Sequence, residues 1–183
     1  GALLALALMV LTISELRAPA PSAEATPFVA PERWVALEPL PEPRTEPLAI
    51  TVGRDLFLMG GDGAGGPARE LWGMGEAGAW EGLAAMPEPV RGAAVAAVGG
   101  SIYVAGGQDG AGAPKGTLWR YDVAADAWEA VAAPLPTALS GAAMAAFEGE
   151  LYLFGGASAA GVEAAILRLG DDGWEKIGAL PAA

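Results

Sequence analysis

The chain has 183 residues, 53% of them hydrophobic, with 27 glycines, 15 prolines and a formal charge of −12. It is long enough for one domain with a real core, and its acidity opposes binding to phosphate backbones, so no nucleic-acid partner is expected. There is no cysteine and no histidine, which removes disulfides, thiolate and imidazole catalysis and Cys/His zinc sites; no cofactor and no metal are expected.

Residues 1–13, GALLALALMVLTI, carry no charge. The run is too short to span a bilayer, which takes about 20 apolar residues. It reads as the apolar part of a signal peptide or of a transmembrane helix. Residues 1–16 are therefore expected to form an apolar leader or membrane anchor, helical, that places the rest of the chain outside the cytoplasm. A buried core helix is the competing reading, and the polar linker that follows at once opposes it. That linker, residues 17–46, is rich in proline, alanine and glutamate. Pro19, Pro21, Pro27 and Pro31 argue against regular structure over its early part. A lone strand is expected near Trp34, over residues 33–37.

The chain then repeats itself. Gly-Gly pairs stand at 60–61, 106–107 and 155–156, spaced by 46 and 49 residues. Trp34, Trp80, Trp128 and Trp174 are spaced by 46, 48 and 46. An apolar run precedes each glycine pair, and a proline-bearing turn follows each later tryptophan. Periods of about 40–50 residues mark propellers or solenoids. In the second repeat, residues 93–98, 101–105, 117–123 and 127–131 each read as a short strand, and four strands is the count of one propeller blade. The alanine-rich run 142–146 favours helix by propensity. It is too short between its breakers to make one, and small side chains suit the crowded innermost strand, so it is read as a strand.

These features resemble kelch repeats. The second repeat carries Arg91, then Ile102-Tyr103-Val104-Ala105-Gly106-Gly107, Tyr121-Asp122 and Trp128. The third keeps Leu151-Tyr152-Leu153-Phe154-Gly155-Gly156 and Trp174, with Leu169 near the usual tyrosine. The first keeps Gly60-Gly61 and Trp80, with Met74 in that place. The resemblance covers roughly residues 34–180. It implies an all-β, kelch-type β-propeller: three four-stranded blades at about 47–86, 91–134 and 139–180, plus the N-terminal strand. Each Gly-Gly would end a second strand where a Cβ would obstruct close packing or a positive φ. Each tryptophan would pack between neighbouring blades. Closed rings use about four to eight blades. An incomplete ring is therefore expected, with missing C-terminal blades of the same chain beyond Ala183 and the strand near Trp34 joining the last of them.

In such propellers ligands meet loops at one mouth of the ring. Thr45, Arg91 and Ser140 lie 15 residues before each first glycine, on the turns entering the innermost strands. Arg91 is the favoured anchor for an anionic group, through bidentate hydrogen bonding; pairing with Glu88 or with a neighbouring blade is its structural alternative. Arg44, one place out of phase, is read as a substitute for Thr45. Asp62, Gln108 and Asp109 form a second set, on the loops after the glycine pairs. Those glycines are no phosphate cradle, since no helix follows and no lysine stands at the required place. Calcium at Asp62 and Asp109 would lack the dense carboxylates of an EF-hand loop, and solvated hairpin tips are the plainer reading. The expected function is a non-catalytic extracytoplasmic recognition module that binds a protein or glycan, with membrane contact only through the N-terminal segment. The alternative is a carbohydrate-active enzyme resembling sialic-acid epimerases. A galactose-oxidase-like copper enzyme would need histidine and cysteine, which are absent.

Overall fold

The structure, a computed structural model, describes residues 36–181. The expected leader helix, Trp34 and most of the linker lie outside the described residues. Among the described residues there is no helix, and so none long and apolar enough to cross a membrane.

Three four-stranded antiparallel sheets follow one another along the chain. The first holds β1 (Leu48–Val52), β2 (Asp55–Met59), β5 (Leu71–Met74) and β6 (Trp80–Leu83), in that order. Between its second and third strands a hairpin of β3 (Asp62–Gly63) and β4 (Gly66–Pro67) projects from one end. The second sheet is β7 (Ala94–Val98), β8 (Ser101–Ala105), β9 (Leu118–Asp122) and β10 (Ala127–Ala130). The third is β11 (Ala143–Phe147), β12 (Glu150–Phe154), β15 (Ala165–Gly170) and β16 (Gly173–Ala179), with its own small hairpin of β13 (Ala157–Ser158) and β14 (Gly161–Val162). Strands β1, β7 and β11 are the innermost of their sheets and lie side by side. Two of them are built largely of alanine, AVAAV and AMAAF. Helix propensity loses there to pairing: every residue of β7 is matched with one of β8, from Ala94↔Ala105 to Val98↔Ser101. Turn glycines at both ends leave no length for a helix to nucleate.

The core lies between sheets, not within one. Phe57, Met59, Leu71 and Met86 of the first repeat bury themselves against Ala93, Ile102, Val104 and Tyr121 of the second. The second interface repeats the plan with Leu118 and Leu135 against Leu153 and Leu167. Each large side chain fully buried this way contributes about 1.5–3 kcal/mol. In the third repeat Phe147, Ile177 and Leu180 are exposed.

The tryptophans bridge the interfaces as the repeat predicts. Trp128 packs on the first interface cluster and donates its indole N–H to the Ala84 carbonyl of the preceding repeat at 2.7 Å. Trp174 does the same one repeat later, to Ala133 at 3.0 Å, and Trp80 reaches Glu38 at 3.0 Å. Only the second repeat adds a tyrosine lock. Tyr121 lies 5.0 Å from the Trp128 ring and 6.3 Å from Phe57. Its hydroxyl donates to Asp126 Oδ1 at 2.7 Å, and the same oxygen accepts the Ala84 N–H at 2.8 Å.

The glycine pairs end the second strands because the backbone leaves no alternative. Gly106 and Gly107 have φ of 66° and 95°. The Gly107 N–H donates to Leu139 O, at the entry to the third repeat, at 2.8 Å. A Cβ on Gly107 would sit 2.9 Å from Arg91 O and collide with Val90; one on Gly106 would collide with Leu139 O. The remaining pairs, Gly60-Gly61 and Gly155-Gly156, also have positive φ throughout.

Candidate functional site

At one end of the sheets the chain leaves each second strand through its glycine pair and turns back toward the segment that enters the first. Isolated antiparallel bridges form there: Thr45↔Asp62, Arg91↔Gln108 and Ser140↔Ala157. The rungs are closed by main-chain hydrogen bonds, for example Asp62 N–H to Thr45 O at 2.9 Å and Ala157 N–H to Ser140 O at 2.8 Å. The two sets of residues that the sequence singles out separately are thus opposite halves of the same rungs. Thr45, Arg91 and Ser140 supply one half; Asp62 and Gln108 supply the other. Asp109 follows at the hairpin tip.

Side chains then link rung to rung across the blades. Arg91 Nη1 donates to Asp62 Oδ2 at 2.9 Å, and Gln108 Nε2 donates to the Ser140 hydroxyl at 2.9 Å. Arg91 is therefore engaged by the neighbouring blade, and its hydrogen bond and charge contact with Asp62 raise its pKa further. Asp109 accepts the N–H groups of Ala111 at 2.9 Å and Ala113 at 3.0 Å. The bond from Ala113, above all, holds its carboxyl below the usual range, and the residue serves its own hairpin. Among the described residues no group of three or more acidic side chains is placed to hold a metal ion. Glu88, the alternative partner of Arg91, turns elsewhere. Burial raises its pKa, but bonds from Lys115, Trp119 and Thr117 outweigh that and leave it lowered.

The structure gives Arg44 partners of its own. Thr45 forms the rung with Asp62, and Arg44 lines the same cavity beside it. The Arg44 side chain is only 4% exposed, pairs with Glu70 at 2.5 Å and Glu42 at 3.0 Å, and lies over the Trp72 ring at 4.9 Å from its centroid. No local signal announces this, because Glu70 and Trp72 reach Arg44 only through the sheet.

Two cavities open at this end. One, of about 470 Å³, is lined by Glu46, Arg91, Gly92, Gln108, Ser140, Gly141, Gly156, Ala157 and Val162. The other, of about 520 Å³, is lined by Glu42, Pro43, Arg44, Thr45, Asp62, Gly63 and Ala64. Five of the six candidate residues line one or the other, and Asp109 lines neither. Glu46 and Glu42 are lining residues that the sequence reading did not name; Glu46 stands in a left-handed conformation at φ 51°, a turn feature without a sequence mark.

Residues 89–134 match the family model of the Kelch motif. The chain is also similar to a solved structure titled "Structure of YjhT", with a TM-score of 0.67 and 18% sequence identity over 79% of this chain and 54% of that one. At that identity the likeness shows the fold, and this chain spans about half the length of that relative. No curated protein matches the sequence. Residues 89–134 match a kelch repeat, and sheets of the same plan flank them on either side.

Proposed function

We propose that this chain is a non-catalytic recognition module that binds a protein or a glycan outside the cytoplasm, through the loops at Thr45, Asp62, Arg91, Gln108 and Ser140. The kelch propeller fold suggests a protein-binding or recognition module. The observation that carries the proposal is the ladder of rungs. One backbone arrangement recurs in three blades at one end, while its side chains differ from blade to blade. Such a surface is rigid in its main chain and variable in its chemistry, which suits recognition. Catalysis gains no support. A general acid needs a carboxyl raised above its ordinary value. Here Asp62 is paired with Arg91, and Glu88 and Asp109 are pulled downward. The apolar run at residues 1–13 supports the extracytoplasmic setting.

The test is capture from the extracytoplasmic fraction of the source cells, and on a glycan array, by wild type, by Arg91→Glu at the mouth and by Asp171→Lys at the opposite end. A partner lost only with Arg91→Glu supports the proposal. A partner retained by Arg91→Glu and lost with Asp171→Lys moves the surface elsewhere and refutes it. An alkaline phosphatase fused after residue 46 is expected to be active; an inactive fusion refutes the extracytoplasmic placement.

A further inference from the structure

Toward the end of the sheets opposite the mouth, each blade sets one residue from its second, third and fourth strands in a row. The rows are Phe57–Gly73–Glu81, Tyr103–Arg120–Glu129 and Tyr152–Arg168–Glu175. Two residues before each aromatic, and so on the same side of the strand, stand Asp55, Ser101 and Glu150. In the second and third blades an arginine bridges the two ends of this arrangement. Arg120 donates to Ser101 Oγ at 2.9 Å and to Glu129 Oε1 at 2.7 Å. Arg168 pairs with Glu150 at 3.7 Å and donates to Glu175 at 3.0 Å.

The first blade keeps both ends and lacks the arginine. Gly73 stands in its place, and a cavity of about 310 Å³ opens there, lined by Asp55, Gly73 and Glu81 and walled by Leu83 and Val123 among others. Both carboxylates are accessible: Glu81 is exposed and Asp55 half-buried. A Cβ on Gly75 would lie 3.3 Å from Asp55 Oδ1, so that oxygen reaches toward the third strand. Among the described residues neither carboxylate has a salt-bridge partner, and Arg54, next to Asp55 in the chain, pairs with Glu76 instead. An anion would meet two unopposed negative charges. Calcium takes about six to eight oxygens, more than two carboxylates supply. A guanidinium is planar and weakly hydrated, and its fork of donors reaches acceptors on two strands at once.

We propose that this cavity is a guanidinium-binding site, which takes the arginine side chain of a polypeptide partner and completes in the first blade what Arg120 and Arg168 complete in the others. No cation lines it to hold the carboxylate of free arginine, so a side chain on a polypeptide is the source that fits. The test titrates the isotope-labelled full chain with N-acetylarginine amide and follows backbone amide shifts, with N-acetyllysine amide, free arginine and calcium chloride in parallel. Saturable shifts are expected at Gly73, Gly75 and Glu81, with the arginine amide at least about threefold tighter than the lysine amide. They should vanish in Asp55→Asn combined with Glu81→Gln, and in Gly73→Arg, which supplies the guanidinium from within the chain. A Cβ at Gly73 would meet Leu83 Cδ1 at 2.9 Å, the far end of a side chain that can turn away. Equal or tighter saturation by the lysine amide would show that the site reads charge alone. Tighter saturation by free arginine would make it a small-molecule site, and by calcium a metal site. Shifts that survive in either variant would place the binding elsewhere, and no saturable shift would leave the two carboxylates to water. Each of these results overturns the inference. None of them touches the recognition reading, which concerns the mouth and is decided by partner capture with Arg91→Glu.

Discussion

Replacing Gly107 by alanine tests whether the glycine pairs are there for backbone reasons. Two costs add at this position. The φ of 95° is one that a residue with a Cβ rarely adopts, and holding it there costs about 1–2 kcal/mol. The added methyl would also lie 2.9 Å from Arg91 O and 3.0 Å from Ala93 Cβ, and would collide with Val90. Relieving such overpacking costs about 1–3 kcal/mol. The sum is about 2–5 kcal/mol, a large share of the roughly 5–15 kcal/mol by which domains are stable. Gly99→Ala is the control. Its φ of 60° is also positive, but nothing lies within 4 Å of the added methyl, so only the first cost applies, about 1 kcal/mol. Urea unfolding followed by tryptophan fluorescence reads both. Equal losses at Gly107 and Gly99 would show that close approach of the segment entering the same repeat plays no part, and would refute the reasoning.

Trp128→Phe keeps an aromatic ring beside Tyr121 but removes the N–H donated to Ala84 O; a loss of about 1–2 kcal/mol in urea unfolding is expected, and no loss would mean that the bond is not formed in solution. Acid should destabilise the fold. Glu88, Asp109 and Asp126 are held below their ordinary values, so their stabilisation is present above the unfolded value near pH 4 and is lost as pH falls through the lower folded values. Tyr121 runs the other way: burial, with the Asp126 bond, raises its pKa. Its contribution is present below about pH 10 and is lost as pH rises past that toward the folded value. A pH–stability curve that keeps its full acid limb in a Glu88→Gln, Asp126→Asn double variant would contradict this. A double-mutant cycle with Asp62→Ala and Arg91→Ala should give a small favourable coupling, small because both side chains are partly solvent-exposed; a coupling indistinguishable from zero would show that the rung-to-rung pair does not form.

The strands were legible because their signals are local. A glycine pair at the end of an apolar run and a tryptophan about 20 residues later recur in phase, because every repeat meets the same turn and the same junction with its neighbour. Residues 142–146 show the limit of local propensity. Their alanines favour helix, yet β11 pairs along its length with β12. The rungs of the mouth were half legible. Counting back from the glycines found Thr45, Arg91 and Ser140, and the loops ahead of them offered Asp62 and Gln108. That these meet is a property of how β-strands fold back, and the sequence has no mark for it. The partners of Arg91 and Arg44 were less legible still. Asp62 lies 29 residues from Arg91, and Glu70 lies 26 residues from Arg44. At those separations the pairing depends on which side of an extended segment each side chain takes.

The rung-to-rung contacts also give the mouth a direction. Going along the chain, the residue after each glycine pair is Asp62, then Gln108, then Ala157. Asp62 meets Arg91 as an ion pair, and Gln108 meets Ser140 as a neutral hydrogen bond. Ala157 has only a methyl to offer, beside the exposed Val162. The same backbone position thus passes from charged through polar to apolar over three blades. A partner that matched this order in one orientation would mismatch it in the other, placing an apolar group on the Asp62–Arg91 pair and a polar one against Ala157 and Val162. Buried polar groups left without partners are costly, so the reversed pose is disfavoured without any clash of shape. The repetition that builds the fold would by itself give a mouth with no preferred orientation. Under the recognition reading, the differences between otherwise equivalent side chains supply one, on a backbone that is nearly the same from blade to blade.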